Sequence, residues 1–127
     1  MNRVGNQKVS GIQMCAPVAA GELIQKTDMV ALNEEGYLVK ATKIEGLRVV
    51  GIATDNIDNR MGSDGMKTVS FTSGGFVFNQ EDIKLTDLMR TAYIKDTTTV
   101  TTSSVRSSAV GKIIEVDNTC ATILIQP

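Results

Sequence analysis

Chemistry has few places to start in this chain. The loop Asp55-Asn56-Ile57-Asp58-Asn59-Arg60-Met61-Gly62-Ser63-Asp64-Gly65 concentrates oxygen donors as a calcium loop would. Such a loop needs ligands at alternating positions around a sharp glycine turn. Counted from Asp58, the third position is the cation Arg60; counted from Asp55, it is Ile57. Neither register coordinates, so the stretch reads as a long polar hairpin loop, and no metal ligands are assigned. Glu34-Glu35 and Glu81-Asp82 are the carboxylate pairs. A glycosidase sets two carboxylates across a substrate, whereas neighbours in turn-like sequence are ordinarily solvated. Cys15 and Cys120 have no histidine to activate them, because the chain contains none. They read as two free thiols, with a disulfide clip as the alternative. The serines around Arg106 lack the lysine or glycine context of a nucleophile. Gly74-Gly75 lacks the following helix that a phosphate cradle needs, and reads as a tight turn. The expectation is a chain without catalytic residues or a cofactor, hence not an enzyme.

The elements that would position any site are strands. The chain has 127 residues, 13 basic and 14 acidic, with no basic block. One domain is expected, and nucleic acid is not an expected partner, since phosphates demand a basic patch. No apolar run approaches the ~20 residues that span a bilayer, and the first ten residues lack the apolar core of a signal peptide. A membrane is therefore not expected as a partner, and synthesis in a cytosol is.

Short β-rich runs recur at 36–42, 47–53, 68–72, 75–78, 91–95, 98–101, 110–116 and 120–125. Gly- and Asn-rich turns separate them. The pattern predicts a mainly β fold: a compact β-barrel, β-sandwich or β-clip-like body. Phe71, Phe76 and Phe78 are expected in its core. Ile83–Met89 predicts about two helical turns, and Ser103–Ser108 a single 3₁₀ turn.

A weak repeat recurs at about sixty residues. Ile24–Met29 parallels Ile83–Leu88, Val50-Gly51-Ile52 parallels Val110-Gly111-Lys112, and Thr68–Phe71 parallels Ala121–Leu124. This divides the body 21–127 into pseudo-repeats 21–78 and 79–127. Residues 1–20 show little periodicity. They are either a frayed terminus or an extended arm that adds to a neighbouring subunit as a strand. On the second reading, residues 2–16 can be removed without unfolding the body.

Three stretches carry a resemblance to a known family: Ala19-Ala20-Gly21-Glu22-Leu23-Ile24, Ser73-Gly74-Gly75-Phe76-Val77-Phe78, and Ala109–Ile114 with the terminal strand Ala121–Ile125. Their order and spacing over 17–127 resemble the phage capsid decoration, or cement, proteins. The segment Asp87–Tyr93 matches that pattern except for a missing glycine. Ala20–Ile24 with Thr27-Asp28 is also similar to the opening of SAF-type β-clip domains, a character that lambda-type head decoration proteins share. The resemblance implies a structural virion protein on the exterior of a tailed-phage capsid, partnered by the major capsid protein and by itself. A trimer suits local three-fold positions, with a dimer as the alternative. Val4, Val9, Ile12, Met14, Val18 and Leu23 are the candidate interface residues, with burial in the core as the competing role for each. A carbohydrate- or receptor-binding β-module of a fibre or tail, or an SAF-like domain, is the alternative function.

Overall fold

The computed structural model describes residues 6–126. Among the described residues, thirteen strands and one 3₁₀ turn make up the fold. In its second half, β9 (Gly74–Gln80), β10 (Thr91–Asp96), β11 (Thr99–Thr101), β12 (Ala109–Val116) and β13 (Cys120–Ile125) form a sheet ordered β9-β11-β10-β12-β13. β13 pairs back onto β9, so the five strands close into a barrel. In the first half, β2 (Gln13–Pro17), β4 (Met29–Leu32), β5 (Leu38–Lys40), β6 (Arg48–Ala53) and β8 (Thr68–Thr72) run in the order β2-β8-β6-β4-β5. The body is thus barrel-built, as the strand pattern predicts.

The two halves repeat the same pairing scheme. Met14 opposite Phe71 recurs as Phe76 opposite Ile123, and Val30 opposite Gly51 recurs as Ala92 opposite Gly111. A β-bulge follows each of the latter pairs. In the second barrel a parallel contact between Gln80 and Val100 brings β9 to β11. Its counterpart is a lone parallel bridge between Val18 and Leu38, with the Ala19 N–H donating to the Leu38 carbonyl at 3.0 Å. That bridge closes the first half into a barrel of the same topology. The repeated units therefore run over 13–72 and 75–125, not over 21–78 and 79–127. Of the sequence parallels, Val50–Ile52 with Val110–Lys112 is in structural register, whereas Thr68–Phe71 aligns with Cys120–Ile123, one residue earlier.

Residues 7–17 are not a separate arm here. β1 (Gln7–Val9) pairs with β9, and β2 is a wall of the first barrel against β8. The segment runs as a strap, antiparallel to the strand that passes from β8 to β9 through Ser73 alone. Where strap and strand cross, the Ser73 N–H donates to the Ile12 carbonyl and the Ser73 Oγ accepts from the Ile12 N–H. A Cβ on Gly11 would lie 2.0 Å from the Ser73 carbonyl oxygen, so only glycine permits this approach. Gly74-Gly75 is accordingly the start of β9 and not a turn. Removing residues 2–16 would strip most of β2 from the first barrel, so the body begins before residue 21.

Apolar side chains explain why both barrels hold. Val18, Ile24, Val30, Leu38, Ala53, Val69 and Phe71 form one buried cluster, the interior of the first barrel. Phe76, Phe78, Ile94, Val100, Ile113 and Ile123 lead a second. Burying each large side chain is worth roughly 1.5–3 kcal/mol. The second cluster also takes in Met29, Ala31, Leu47 and Ile52 from the other face of β4 and β6 and the adjoining loop. β4 is therefore buried on both sides. Polar stitches cross the same seam: the buried Ser108 Oγ donates to the Ile44 carbonyl and accepts from the Leu47 N–H, and the Thr97 hydroxyl donates to the Ala41 carbonyl.

Helical content is smaller than expected. Ile83–Met89 makes only the 3₁₀ turn Leu85–Asp87. The Met89 N–H bonds to the Ile113 carbonyl of β12 and so leaves the helical ladder. The matching contact in the first barrel joins the Thr27 N–H to the Ala53 carbonyl, and Thr27 and Met89 share a positive φ of 78° and 69°. Ser103–Ser108 forms a hydrogen-bonded turn, Ser107 N–H to Ser104 carbonyl, without a 3₁₀ helix.

Candidate interaction surface

The connection between β6 and β8 is where the two barrels differ most. In the second barrel, β12 passes to β13 through Asp117–Thr119, a tight turn whose Asp117 carboxylate accepts from the Thr119 and Cys120 N–H groups. In the first barrel the same connection spans Thr54–Lys67. It contains β7 (Ile57–Asp58), which pairs with β3 (Leu23–Ile24).

This loop is braced. Asn59 is fully buried, and its side-chain NH₂ faces the carbonyls of Val18, Ala19 and Ser63 at 3.2, 3.1 and 3.0 Å. Its backbone N–H donates to the Glu22 carbonyl, and its own carbonyl accepts from the Gly21 N–H. The Asp64 carboxylate accepts from the Ala20 N–H at 2.7 Å, and the Lys67 ammonium donates to the Asp58 carbonyl at 2.8 Å. Arg60 forks onto Asp58 through Nε and Nη2. Those side-chain bonds, with one from the Arg60 N–H, hold the Asp58 carboxyl well below the usual carboxylate range. The loop that offered oxygen ligands thus spends most of them on backbone N–H groups, its own and those of Ala20 and Lys26, and on Arg60. Among the described residues, no cluster of three or more acidic or cysteine side chains is placed to hold a metal ion.

Bracing on the inner side leaves the tip outward. Met61 is 99% exposed and Met66 64% exposed, so neither is core. With Asp58, Gly62 and Lys67 they line an open, shallow depression. Methionine is polarizable and adaptable, which suits a protein-binding surface. A charged fork on one side and Lys67 on the other supply a polar rim.

The candidate interface residues distribute unevenly. Val9 and Ile12 are exposed on the strap. Met14 is half-buried on β2 against the first barrel's interior, and Leu23 is half-buried on β3. Val18 is fully buried core, because the bridge that closes the first barrel runs through it. Val4 lies outside the described residues. Met61 and Met66 were not among the residues singled out from sequence. The signal for them was the loop's length at a position where the other repeat needs only a short turn.

The remaining chemical candidates lie apart. Cys15, on β2, and Cys120, at the start of β13, are both free thiols on different barrels. Glu34 and Glu35 are exposed in the β4–β5 turn. Glu81 pairs with Lys95, while Asp82 accepts from the Thr101 and Thr102 hydroxyls and the Thr102 N–H. Desolvation raises the Asp82 carboxyl, but these hydrogen bonds outweigh it and leave it below its ordinary value. Asp96 behaves alike, with Thr98 and Thr99 as donors. A carboxylate depressed on folding stabilises above its unfolded pKa of about 3.9 and loses that contribution as pH falls further. Melting temperature followed by circular dichroism is expected to hold between about pH 5 and 7 and to fall below about pH 4. Asp82→Asn is expected to flatten that fall; an unchanged profile would remove Asp82 from the account.

No family model matches the chain, and no curated protein matches it in sequence.

Proposed function

We propose that this chain is a structural virion protein, a capsid decoration subunit that binds the outside of a tailed-phage head and bridges its capsomers. The observation that carries the reading is the braced Thr54–Lys67 loop. It holds two exposed methionines on a fixed base, at a site where the duplicate barrel has only a turn. Bridging a shell under internal pressure calls for a stiff body with a preformed contact, since ordering a loose loop on binding costs free energy. Two barrels, one closed by the β9–β13 pairing and one by the Val18–Leu38 bridge, on a shared apolar layer supply the stiffness. The order of the glycine-acid turn, the glycine-aromatic strand and the Val-Gly strand supplies the resemblance that names the shell as partner.

Heads lacking this protein are expected to lose DNA at a lower temperature than complete heads. The double variant Met61→Glu/Met66→Glu is expected to bind heads at least ~10-fold more weakly, because carboxylates replace apolar contacts at the centre of the patch. Its melting temperature should be unchanged, as both side chains are exposed. Heads equally robust with and without the protein would overturn the reading.

A further inference from the structure

The duplication exposes one edge that its counterpart covers. In the second barrel, β9 carries β13 on one side and β1 on the other, with the Val77 N–H donating to the Asn6 carbonyl at 3.0 Å. The counterpart of β9 is β2, and the counterpart of Val77 is Cys15: Val77 stands opposite Thr122 as Cys15 stands opposite Ser70. The N–H and C=O of Gln13 and Cys15 therefore point away from β8. Among the described residues, no strand or backbone group pairs with that side of β2 at Gln13 or Cys15; the side is taken up only from Pro17 on, where the bridge to Leu38 begins.

Unpaired strand edges template pairing with another chain unless charge, proline or a covering element blocks them. Here the block is slight. Every residue from Val9 to Gly21 is uncharged, and Pro17 stands at the far end of the strand. The chain's own candidate cover, β1, is already spent on β9.

We infer that the Gln13–Cys15 edge pairs antiparallel with the same edge of a second copy, about a two-fold axis near Met14, so that Gln13 of each copy bonds to Cys15 of the other. A second copy brings the same vacancy, so one isologous contact satisfies both and closes at two subunits. The charge-free run lets the two edges meet without like-charge repulsion. Cys15, exposed on β2, comes to face Gln13 of the second copy, and the two Cys15 lie diagonally across the seam, ~7–8 Å apart. A dimer, and not the trimer suggested by three-fold shell positions, follows. The pairing concerns the protein alone and does not depend on capsid binding.

The test uses purified full-length protein. Light scattering coupled to size exclusion, over a concentration series, is expected to reach twice the 13.6 kDa chain mass. In a Cys120→Ser background, a short bis-maleimide should join two chains through Cys15, each thiolate adding across one maleimide double bond. Cys15→Pro deletes an N–H that no partner uses in the single chain, and proline is tolerated on edges. It should therefore leave the melting temperature near wild type while returning the mass to that of one chain. Gln13→Lys should do the same by charge, and it carries the test should the proline variant fold poorly. A monomer at every concentration, a trimer mass, or a dimer that survives Gln13→Lys would overturn the inference.

Discussion

Asn59→Asp is expected to destabilise the fold by about 4 kcal/mol at neutral pH, although it changes no more than an NH₂ into an oxygen. The amide faces three backbone carbonyls within 3.2 Å in a fully buried position. Aspartate offers those carbonyls no donor and sets a negative charge among them. Leaving the carbonyls unsatisfied costs about 1–3 kcal/mol, and an unpaired buried charge adds to that. The Asn59 Oδ1 is itself buried without a hydrogen-bond partner, pressed toward Gly62, where a Cβ would come within 2.0 Å of it. The site is thus already short of donors. A carboxyl there would titrate above its unfolded value. The penalty relative to wild type should be smallest below about pH 4 and should grow as pH rises toward the elevated folded pKa. Asn56→Asp is the matched contrast: Asn56 is exposed and uses only its oxygen, accepting from the Lys26 N–H at 2.8 Å, a role that aspartate keeps. Chemical denaturation of both variants at pH 3.5 and 7 checks the pair. Equal losses at neutral pH would mean that Asn59 does not anchor the loop. If it does, and the loop makes the proposed capsid contact, Asn59→Asp should also weaken head binding, since Met61 and Met66 would lose their base.

Legibility from sequence followed local signals. β8 and β13 were read to the residue, and β10 and β12 to within one, because alternating or β-branched runs between turn residues are self-contained evidence. β4 was missed for a physical reason. Met29-Val30-Ala31-Leu32 has no alternation, because Val30 faces the first barrel while Met29 and Ala31 face the second cluster. β1 and β2 were missed because their side chains are mostly exposed and show no strong apolar–polar alternation; backbone pairing, not a hydrophobic pattern, holds them. The duplication was visible but out of register at two of its three matches. Three extra residues between Ile83 and Met89, relative to Ile24 and Thr27, displaced the Thr-Asp likeness from the structural correspondence. Val9 and Ile12, candidates from the sequence, are exposed on the strap, whereas Met61 and Met66 became meaningful only when both barrels could be compared.

Gly51→Ala and Gly111→Ala should each cost about 3 kcal/mol, a fall of roughly 12 °C in melting temperature, and for the same reason. The two glycines are counterparts beside the bulges. A Cβ on Gly51 would sit 2.0 Å from the Thr72 carbonyl oxygen, and one on Gly111 would sit 2.0 Å from the Leu124 carbonyl oxygen. The obstacle in each case is backbone of the adjacent strand, so no side-chain rotation relieves it. Either β6 parts from β8 or β12 parts from β13, and each of these strands is held by a neighbour on its other side, which resists the shift. Gly36→Ala is the contrast: Gly36 has a positive φ of 90° but open space around its Cβ position, so only the conformational cost of about 1 kcal/mol applies. The shape of the melting curve carries a second result. Met29, Ala31 and Ile52 of the first barrel belong to the same apolar cluster as the second barrel's interior. Damage to either barrel should therefore lower one shared transition. If Gly111→Ala split the curve in two, with the first barrel melting where wild type does, that shared layer would not couple them. A single lowered transition for both alanine variants would identify the duplicated barrels as one cooperative body, which is the mechanical property a bridge between capsomers requires.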